Sequence, residues 1–252
     1  MTITIDGPSA SGKSTVAQET ARYLGIFYLN TGLLYRCLAY GLFHALCESK
    51  VAISPDSIHR CEVIEKLKSI NINSISYSYG INNKDSIKKY SSKVCFKGVD
   101  ITEKCYNAEQ IDQISSRISA IPEVRTFLLD YQREFARQND IVVDGRDCGS
   151  VVFAEPAVHK FYLTASIEVR AMRRLLDYKS KNSVSSSTSI PRTLKTLDTV
   201  ISDLKSRDHR DMSRAISPLC VPLGAVVIDS SYMTMEEVVR LIADTVAVNK
   251  NR

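Results

Sequence analysis

Long apolar segments and clusters of metal-binding residues are both absent from this sequence of 252 residues. No apolar run approaches the roughly 18 residues that a membrane-spanning helix needs, and the chain starts with a strand pattern rather than a targeting signal. A cytoplasmic protein is therefore expected. The net charge of +5 and the 44% of hydrophobic residues are typical of a soluble globular protein with one main domain and smaller appendages.

The cysteines and histidines are too scattered for a disulfide framework or a metal site. The seven cysteines form no Cys-x-x-Cys pair, and the four histidines lack the spacing of metal ligands. We therefore expect reduced thiols, most of them buried.

Markers of two nucleotide-related classes are also missing. The positive excess is small, and aromatic and basic residues do not interleave as they do on nucleic-acid-binding surfaces. The segment Asn83-Lys84-Asp85-Ser86 lacks the last acid of the Asn-Lys-x-Asp motif with which GTPases recognise guanine. The sequence therefore disfavours a nucleic-acid-binding protein, and it also disfavours a GTP-dependent switch.

One motif is complete: a phosphate-binding loop that follows the candidate strand Thr2–Asp6 and leads into a helical pattern over Lys13–Leu24. Its glycines let successive amides point at a polyphosphate, and the start of the helix adds the positive end of its dipole. Lys13 is expected to reach the outer phosphates and the Ser14 hydroxyl to bind Mg²⁺. The residues predicted to contact ATP here are Gly7, Pro8, Ser9, Ala10, Ser11, Gly12, Lys13, Ser14 and Thr15.

Short apolar segments alternate with helical patterns, which predicts an α/β protein with a parallel sheet flanked by helices. The first helix is expected to end at Gly25, and Thr234 with Glu237 forms a capping box for the last one. A β-rich pattern at about 70–101 predicts a small antiparallel insertion, with turns at Gly80-Ile81-Asn82-Asn83 and at Gly98. The five candidate strands are Thr2–Asp6, Phe27–Asn30, 141–144, 160–164 and 225–229.

Two clusters of charged residues complete the pattern. Asp144-Gly145-Arg146-Asp147 follows an apolar strand, and the carboxyl ends of parallel strands are where ligands bind, so Asp144 is a candidate Mg²⁺ ligand. In Arg207-Asp208-His209-Arg210-Asp211, a helix would place Arg207, Asp211 and Arg214 on one face. Ordinary solvated ion pairs would look similar, but phosphoryl transfer requires several fixed positive charges.

Taken together, these motifs resemble the bacterial cytidylate kinases, a branch of the nucleoside monophosphate kinases. The resemblance covers nearly the whole chain and includes Ile5-Asp6-Gly7-Pro8-Ser9, Thr31-Gly32, Tyr35-Arg36, 121–125, the two charged clusters with Arg173-Arg174, and Ser217-Pro218-Leu219. It implies a P-loop NTPase fold with a five-stranded parallel sheet and a helical lid. The implied domains are an ATP-binding core (1–30, 126–174 and 207–252), a nucleoside monophosphate-binding region (31–125) and a lid with a Ser-rich extension (175–206).

The resemblance also implies roles for single residues. Arg36 and Arg146 would hold the acceptor phosphate, while Ser116, Arg125 and Asp147 would recognise cytosine. The full set implied for the acceptor nucleotide is Thr31, Tyr35, Arg36, Ser116, Arg125, Arg146, Asp147, Arg207, Asp211 and Arg214. Arg170 and Arg173 would serve ATP, the catalytic set is Lys13, Arg146, Arg173 and Arg207, and the metal would be held by Ser14 and Asp144.

The sequence departs from the family at four places: Asn30, where an acid is usual; Cys105-Tyr106, where Ile-Arg is common; Cys148; and a lid about ten residues longer, at 180–192. The expected reaction is ATP- and Mg²⁺-dependent phosphorylation of CMP and dCMP by a monomer. A P-loop kinase for another small acceptor or for UMP, and a nucleotide-dependent regulator or nucleic-acid-binding protein, are the alternatives.

Overall fold

The computed structural model describes residues 1–47, 59–82, 89–107, 109–155, 158–184 and 196–250. These residues divide into two compact units. The first unit comprises Met1–Ile3 and Ala17–Gly145, and the second comprises Thr4–Val16 and Arg146–Arg252. The domain boundaries given above stay a prediction, and residues 185–195, which contain most of the Ser-rich extension, lie outside the described residues.

A five-stranded sheet is built from β1 (Thr2–Asp6), β2 (Phe27–Asn30), β6 (Ile141–Gly145), β7 (His159–Thr164) and β8 (Val226–Asp229). The strand order is β2-β6-β1-β7-β8, with parallel pairing of β2 to β6 and of β7 to β8. Residues such as Ile3, Val142 and Leu163 are fully buried, because a parallel sheet is covered by helices on both faces. The predicted fold class is confirmed, and each strand lies within one residue of its expected position.

Nine helices flank the strands within the described ranges. They are α1 (Lys13–Leu24), α2 (Thr31–Cys47), α3 (Arg60–Ser69), α4 (Thr102–Asn107), α5 (Glu109–Ile118), α6 (Pro122–Gln138), α7 (Ile167–Val184), α8 (Leu197–Met212) and α9 (Met235–Lys250). Gly25 follows α1 with a φ of 67°, the left-handed conformation expected at a helix C-terminus. The Glu237 amide donates to Thr234 Oγ1 and the Thr234 amide to the Glu237 carboxylate, so the predicted capping box forms. No helix in the described part of the chain combines the length and hydropathy needed to cross a bilayer.

The first unit also contains the predicted antiparallel insertion, a small sheet in the order β3 (Ile75–Asn82), β4 (Lys89–Phe96) and β5 (Val99–Asp100). The Tyr77 hydroxyl donates to the Tyr28 carbonyl over 2.8 Å and accepts from the Asn30 amide over 3.1 Å, which attaches this sheet to the end of β2. The expected turn is wrong at Gly80-Ile81-Asn82, because β3 continues to Asn82, and the last residue of that turn, Asn83, lies outside the described residues. The turn at Gly98, with a φ of 78°, is confirmed.

Candidate functional site

The phosphate-binding loop of the second unit has a backbone that side chains could not easily adopt. Gly7 and Gly12 have φ values of 148° and 92°, and Ala10 has a φ of 60°. A Cβ atom on Gly7 would lie 2.0 Å from the Leu163 carbonyl oxygen, so the close approach of the loop to β7 requires glycine. Loops of this conformation direct several amides to one side and form a concave anion site.

The loop lysine is folded back across its own loop. Lys13 is buried, and its Nζ donates to the Pro8 carbonyl over 2.5 Å and to Ser11 Oγ over 3.4 Å. Ser14 and Thr15, in the first turn of α1, are exposed. The ammonium is therefore held close to the concave side of the loop.

Arg146 joins the segment after β6 to the loop. Its NH2 group donates to Ser9 Oγ over 3.0 Å and its Nε to Asp211 over 2.8 Å. Asp211 is 2% exposed and also accepts from Arg214. Burial alone would raise the pKa of Asp211, but the guanidinium groups of Arg146 and Arg214 lower it below its ordinary value. This carboxylate therefore stays ionised between two arginines.

Arg170 and Arg173 of α7 contact the same loop. Arg170 NH1 donates to the Ser9 carbonyl over 3.0 Å and to Asp208 over 2.5 Å, while Asp208 accepts from the Ser9 amide over 2.9 Å. Arg173 donates to the Ser11 carbonyl and, over 2.8 Å, to the Ser230 carbonyl after β8. Two helices thus hold the main chain of the loop.

A buried carboxylate of β1 supports the Asp147 segment. Asp6 accepts from the Cys148 amide over 2.9 Å and from the Gly149 amide over 2.7 Å, in the π-helical turn that follows Asp147. Burial raises the pKa of Asp6 to about 6, although the two amide hydrogen bonds oppose this rise. Asp147 itself is also buried.

One prediction about this region is wrong. Arg207 and Asp211 lie on α8, but the helix ends at Met212 and Ser213 is its C-cap, so Arg214 is beyond the helix rather than on its face. Arg214 still donates to the Asp211 carboxylate, which lies only three residues earlier in the chain. Arg207 is half-buried on α8.

In the first unit, two predicted residues, Thr31 and Asp144, meet where β2 and β6 end. The buried Thr31 donates from its hydroxyl to the Asp144 carbonyl over 2.7 Å. The Asp144 carboxylate accepts from the Tyr28 hydroxyl over 2.8 Å. Arg36, one and a half turns along α2, is paired with Asp112 of α5 over 2.6 Å.

The remaining predicted residues of this unit cluster around α5 and α6. Arg125 is 9% exposed, donates to the Ser119 carbonyl over 3.0 Å and lies 5.7 Å from the centroid of the Tyr35 ring. Ser116 is half-buried on α5. Each unit therefore contains its own group of the predicted site residues.

Residues 3–248 of the chain match the family model described as cytidylate kinase. The chain belongs to the cytidylate kinase family. A protein named cytidylate kinase from Acinetobacter baumannii is 35% identical over 244 residues, which cover 97% of this chain and 95% of that protein. A cytidylate kinase of Marinomonas sp. is 35% identical over 240 residues, covering 95% and 92%. One from Caldanaerobacter subterraneus subsp. tengcongensis is 35% identical over 249 residues, covering 99% and 95%.

Membership of the cytidylate kinase family confirms the resemblance and the prediction of a phosphotransferase. Three residues that contact the site were not predicted: Asp208, Asp112 and Ser230. Asp208 lies inside a motif that the sequence did single out, and Ser230 follows a strand end, where ligands of open α/β sheets bind. Asp112 occupies a polar position on α5 that nothing in the sequence distinguishes.

Proposed function

We propose that this member of the cytidylate kinase family transfers the γ-phosphoryl group of ATP to CMP and dCMP, forming CDP or dCDP and ADP. The observation that carries the proposal is the attachment of Arg146, Arg170 and Arg173 to residues 9–11 of the phosphate-binding loop. Phosphoryl transfer is catalysed mainly by positioning and by fixed positive charge. The loop amides and Lys13 would bind the phosphates of ATP, with these guanidinium groups around them.

The acceptor explains why no general base is required. The second pKa of a phosphate monoester is about 6, so CMP is largely dianionic at neutral pH. One of its phosphate oxygens would attack the γ-phosphorus in line, and the bond from that phosphorus to the β–γ bridging oxygen would break, releasing ADP. Lys13, Arg146, Arg173 and Arg207 would stabilise the charge during this transfer.

The residues present fit Mg²⁺ in the way expected of a kinase. The proposed ligands, the Ser14 hydroxyl and the Asp144 carboxylate, offer the oxygen atoms that this ion prefers. Within the described residues, no group of three His, Cys, Asp or Glu side chains could hold a metal alone, which suits an ion carried largely by substrate phosphates. Bound there, Mg²⁺ would neutralise charge on the transferred group.

Recognition of cytosine would come from Asp147, Arg125 and Ser116. Cytosine presents an amine donor beside acceptor atoms, which a carboxylate and a guanidinium complement, whereas uracil reverses two of these groups. Arg36 and Arg146 would hold the phosphate, Thr31 and Tyr35 would line the site, and Arg207, Asp211 and Arg214 would lie at the sugar and its phosphate. We further propose that the protein acts as a monomer with the domain boundaries predicted above.

The experiment is a coupled assay of ADP formation with CMP, dCMP, UMP and AMP as acceptors at saturating ATP and Mg²⁺. We expect turnover of CMP and dCMP. The value of kcat/KM for UMP should be at least about tenfold lower than that for CMP. Asp147→Asn should reduce this preference while leaving the Kd of ATP within about twofold. Faster turnover of UMP or AMP than of CMP by the unaltered protein would contradict the proposal.

A further inference from the structure

In the first unit, α2 and α4 meet through two pairs of a cation and an aromatic ring. Arg36 Cζ lies 5.9 Å from the centroid of the Tyr106 ring, and Lys104 Nζ lies 5.6 Å from that of Tyr40. Lys104 Nζ also donates to the Tyr40 hydroxyl oxygen over 3.3 Å. Both separations are within the range of an attractive cation–π contact. These two contacts hold α2 and α4 together and place Tyr106 beside Arg36.

Tyr106 also lies beside Asn30, the residue that precedes α2. Asn30 Oδ1 accepts from the Leu33 amide over 2.9 Å and so caps the helix. Asn30 also lies beside the Tyr106 hydroxyl group, where hydrogen bonding by its side chain opposes the burial that raises the pKa of Tyr106. A group that lowers the pKa of a phenol donates to its oxygen, so the carboxamide nitrogen of Asn30 is the donor. The start of α2 thus anchors the ring that lies beside Arg36.

The guanidinium of Arg36 is consequently fixed from two directions. Asp112 accepts from its NH2 group over 2.6 Å, and its Cζ lies over the Tyr106 ring, 5.9 Å from the centroid. Only 21% of the Arg36 side chain is exposed. A ring holds a guanidinium by its face and leaves N–H edges to bind a planar or tetrahedral anion, which a second carboxylate would not do.

We propose that Tyr106, supported by Asn30, is a positioning residue for the phosphate of the acceptor nucleotide and acts through Arg36. This inference rests on the proposed function, in which Arg36 binds that phosphate. Orienting the guanidinium before CMP arrives removes the entropy cost of ordering a long side chain on binding. Asn30 and Tyr106, which belong to two of the four places at which this chain departs from its family, would act together on Arg36.

The test compares binding of CMP with binding of cytidine, which lacks the phosphate. Both dissociation constants are measured by calorimetry for the unaltered protein and for Tyr106→Leu and Tyr106→Phe. Tyr106→Leu should weaken CMP binding about tenfold, because it removes the ring, and should leave cytidine within twofold. Tyr106→Phe keeps the ring but loses the bond to Asn30, and should weaken CMP about threefold.

The matched control is Lys104→Met, which removes the other cation–π pair between the same helices. Lys104→Met should leave the Kd of CMP within twofold of the unaltered value. In a protein that already carries Arg36→Gln, adding Tyr106→Leu should not change the Kd of CMP further. The inference is overturned if Tyr106→Leu weakens CMP and cytidine equally, if it leaves CMP binding unchanged, if Lys104→Met has the same effect, or if the loss persists without Arg36. A protein that forms no CDP from CMP would instead remove the proposed function and this inference with it.

Discussion

The arginines of the two units are held in different ways. In the second unit, Arg146, Arg170 and Arg173, here called the loop-bound arginines, donate to main-chain carbonyls, serine hydroxyls and buried carboxylates. In the first unit, Arg36 and Arg125 also donate to a carboxylate and to a carbonyl, respectively, but each in addition has a tyrosine ring beside it, with centroids 5.9 and 5.7 Å from Cζ. A carboxylate or carbonyl occupies the N–H edges of a guanidinium, whereas a ring occupies its face.

This difference indicates a division of roles. The loop-bound arginines hold the phosphate-binding loop in shape as well as carrying positive charge, so their loss should cost stability. The first-unit arginines are oriented by rings and keep part of their hydrogen-bonding capacity for an anion. Their loss should weaken binding of the acceptor and leave the fold almost unchanged.

The largest expected effect is a loss of stability when Asp208 of the second unit is removed, compared with removal of Asp112 in the first unit. Asp208→Ala leaves Arg170 buried without its partner and removes the acceptor of the Ser9 amide, which should cost about 3–5 kcal/mol. We expect the Tm to fall by about 10 °C. Asp112→Ala removes the partner of Arg36, a pair that is more than a fifth exposed, and should lower the Tm by about 3 °C or less. Equal decreases in thermal melts of the two variants would break the comparison.

The second expected effect concerns pH and Asp6, a buried carboxylate of the second unit held by amides. Its pKa is raised to about 6 in the folded protein, so between about pH 4 and 6 the folded state binds the proton more tightly than the unfolded state. Stability should therefore fall as the pH rises through this window, by about 3 kcal/mol in total.

Urea titrations at several pH values, for the unaltered protein and for Asp6→Asn, measure this contribution. The difference in unfolding free energy between the two proteins should change by about 3 kcal/mol between pH 4 and pH 7 and remain constant above pH 7. Asp211, whose pKa is lowered by arginines, should have the opposite sign in the acid range. Parallel pH curves for the two proteins would show that Asp6 does not titrate in this way.

The smallest expected effect compares one helix cap in each unit. Asn30→Ala and Thr234→Ala each remove a cap and should lower stability by about 1 kcal/mol, or the Tm by about 3 °C. Only Asn30→Ala should also raise the KM for CMP, about threefold, since only Asn30 supports the ring beside Arg36. Steady-state kinetics of both variants would show this, and an equal rise in both would assign it to lost stability.

Local sequence signals predicted most of the fold and part of the site. The strands and α1 were predicted because apolar segments, Gly25 and the capping residues are local signals. The roles of Asp208 and Asp112 depend on contacts between residues 38 to 199 positions apart, which no local pattern encodes. Arg214 was misplaced because the helical spacing of the motif continues past Met212, where the helix ends. The roles assigned to the site residues stay predictions.

Arg36→Gln tests the division of roles most directly. The variant keeps an unbranched polar side chain but shortens it and removes its charge. Calorimetry with CMP and with ATP is combined with a thermal melt. The account predicts that CMP binds about 30-fold more weakly, that the Kd of ATP stays within twofold, and that the Tm stays within about 2 °C. An equal weakening of ATP binding, or a fall in Tm as large as that of Asp208→Ala, would contradict it.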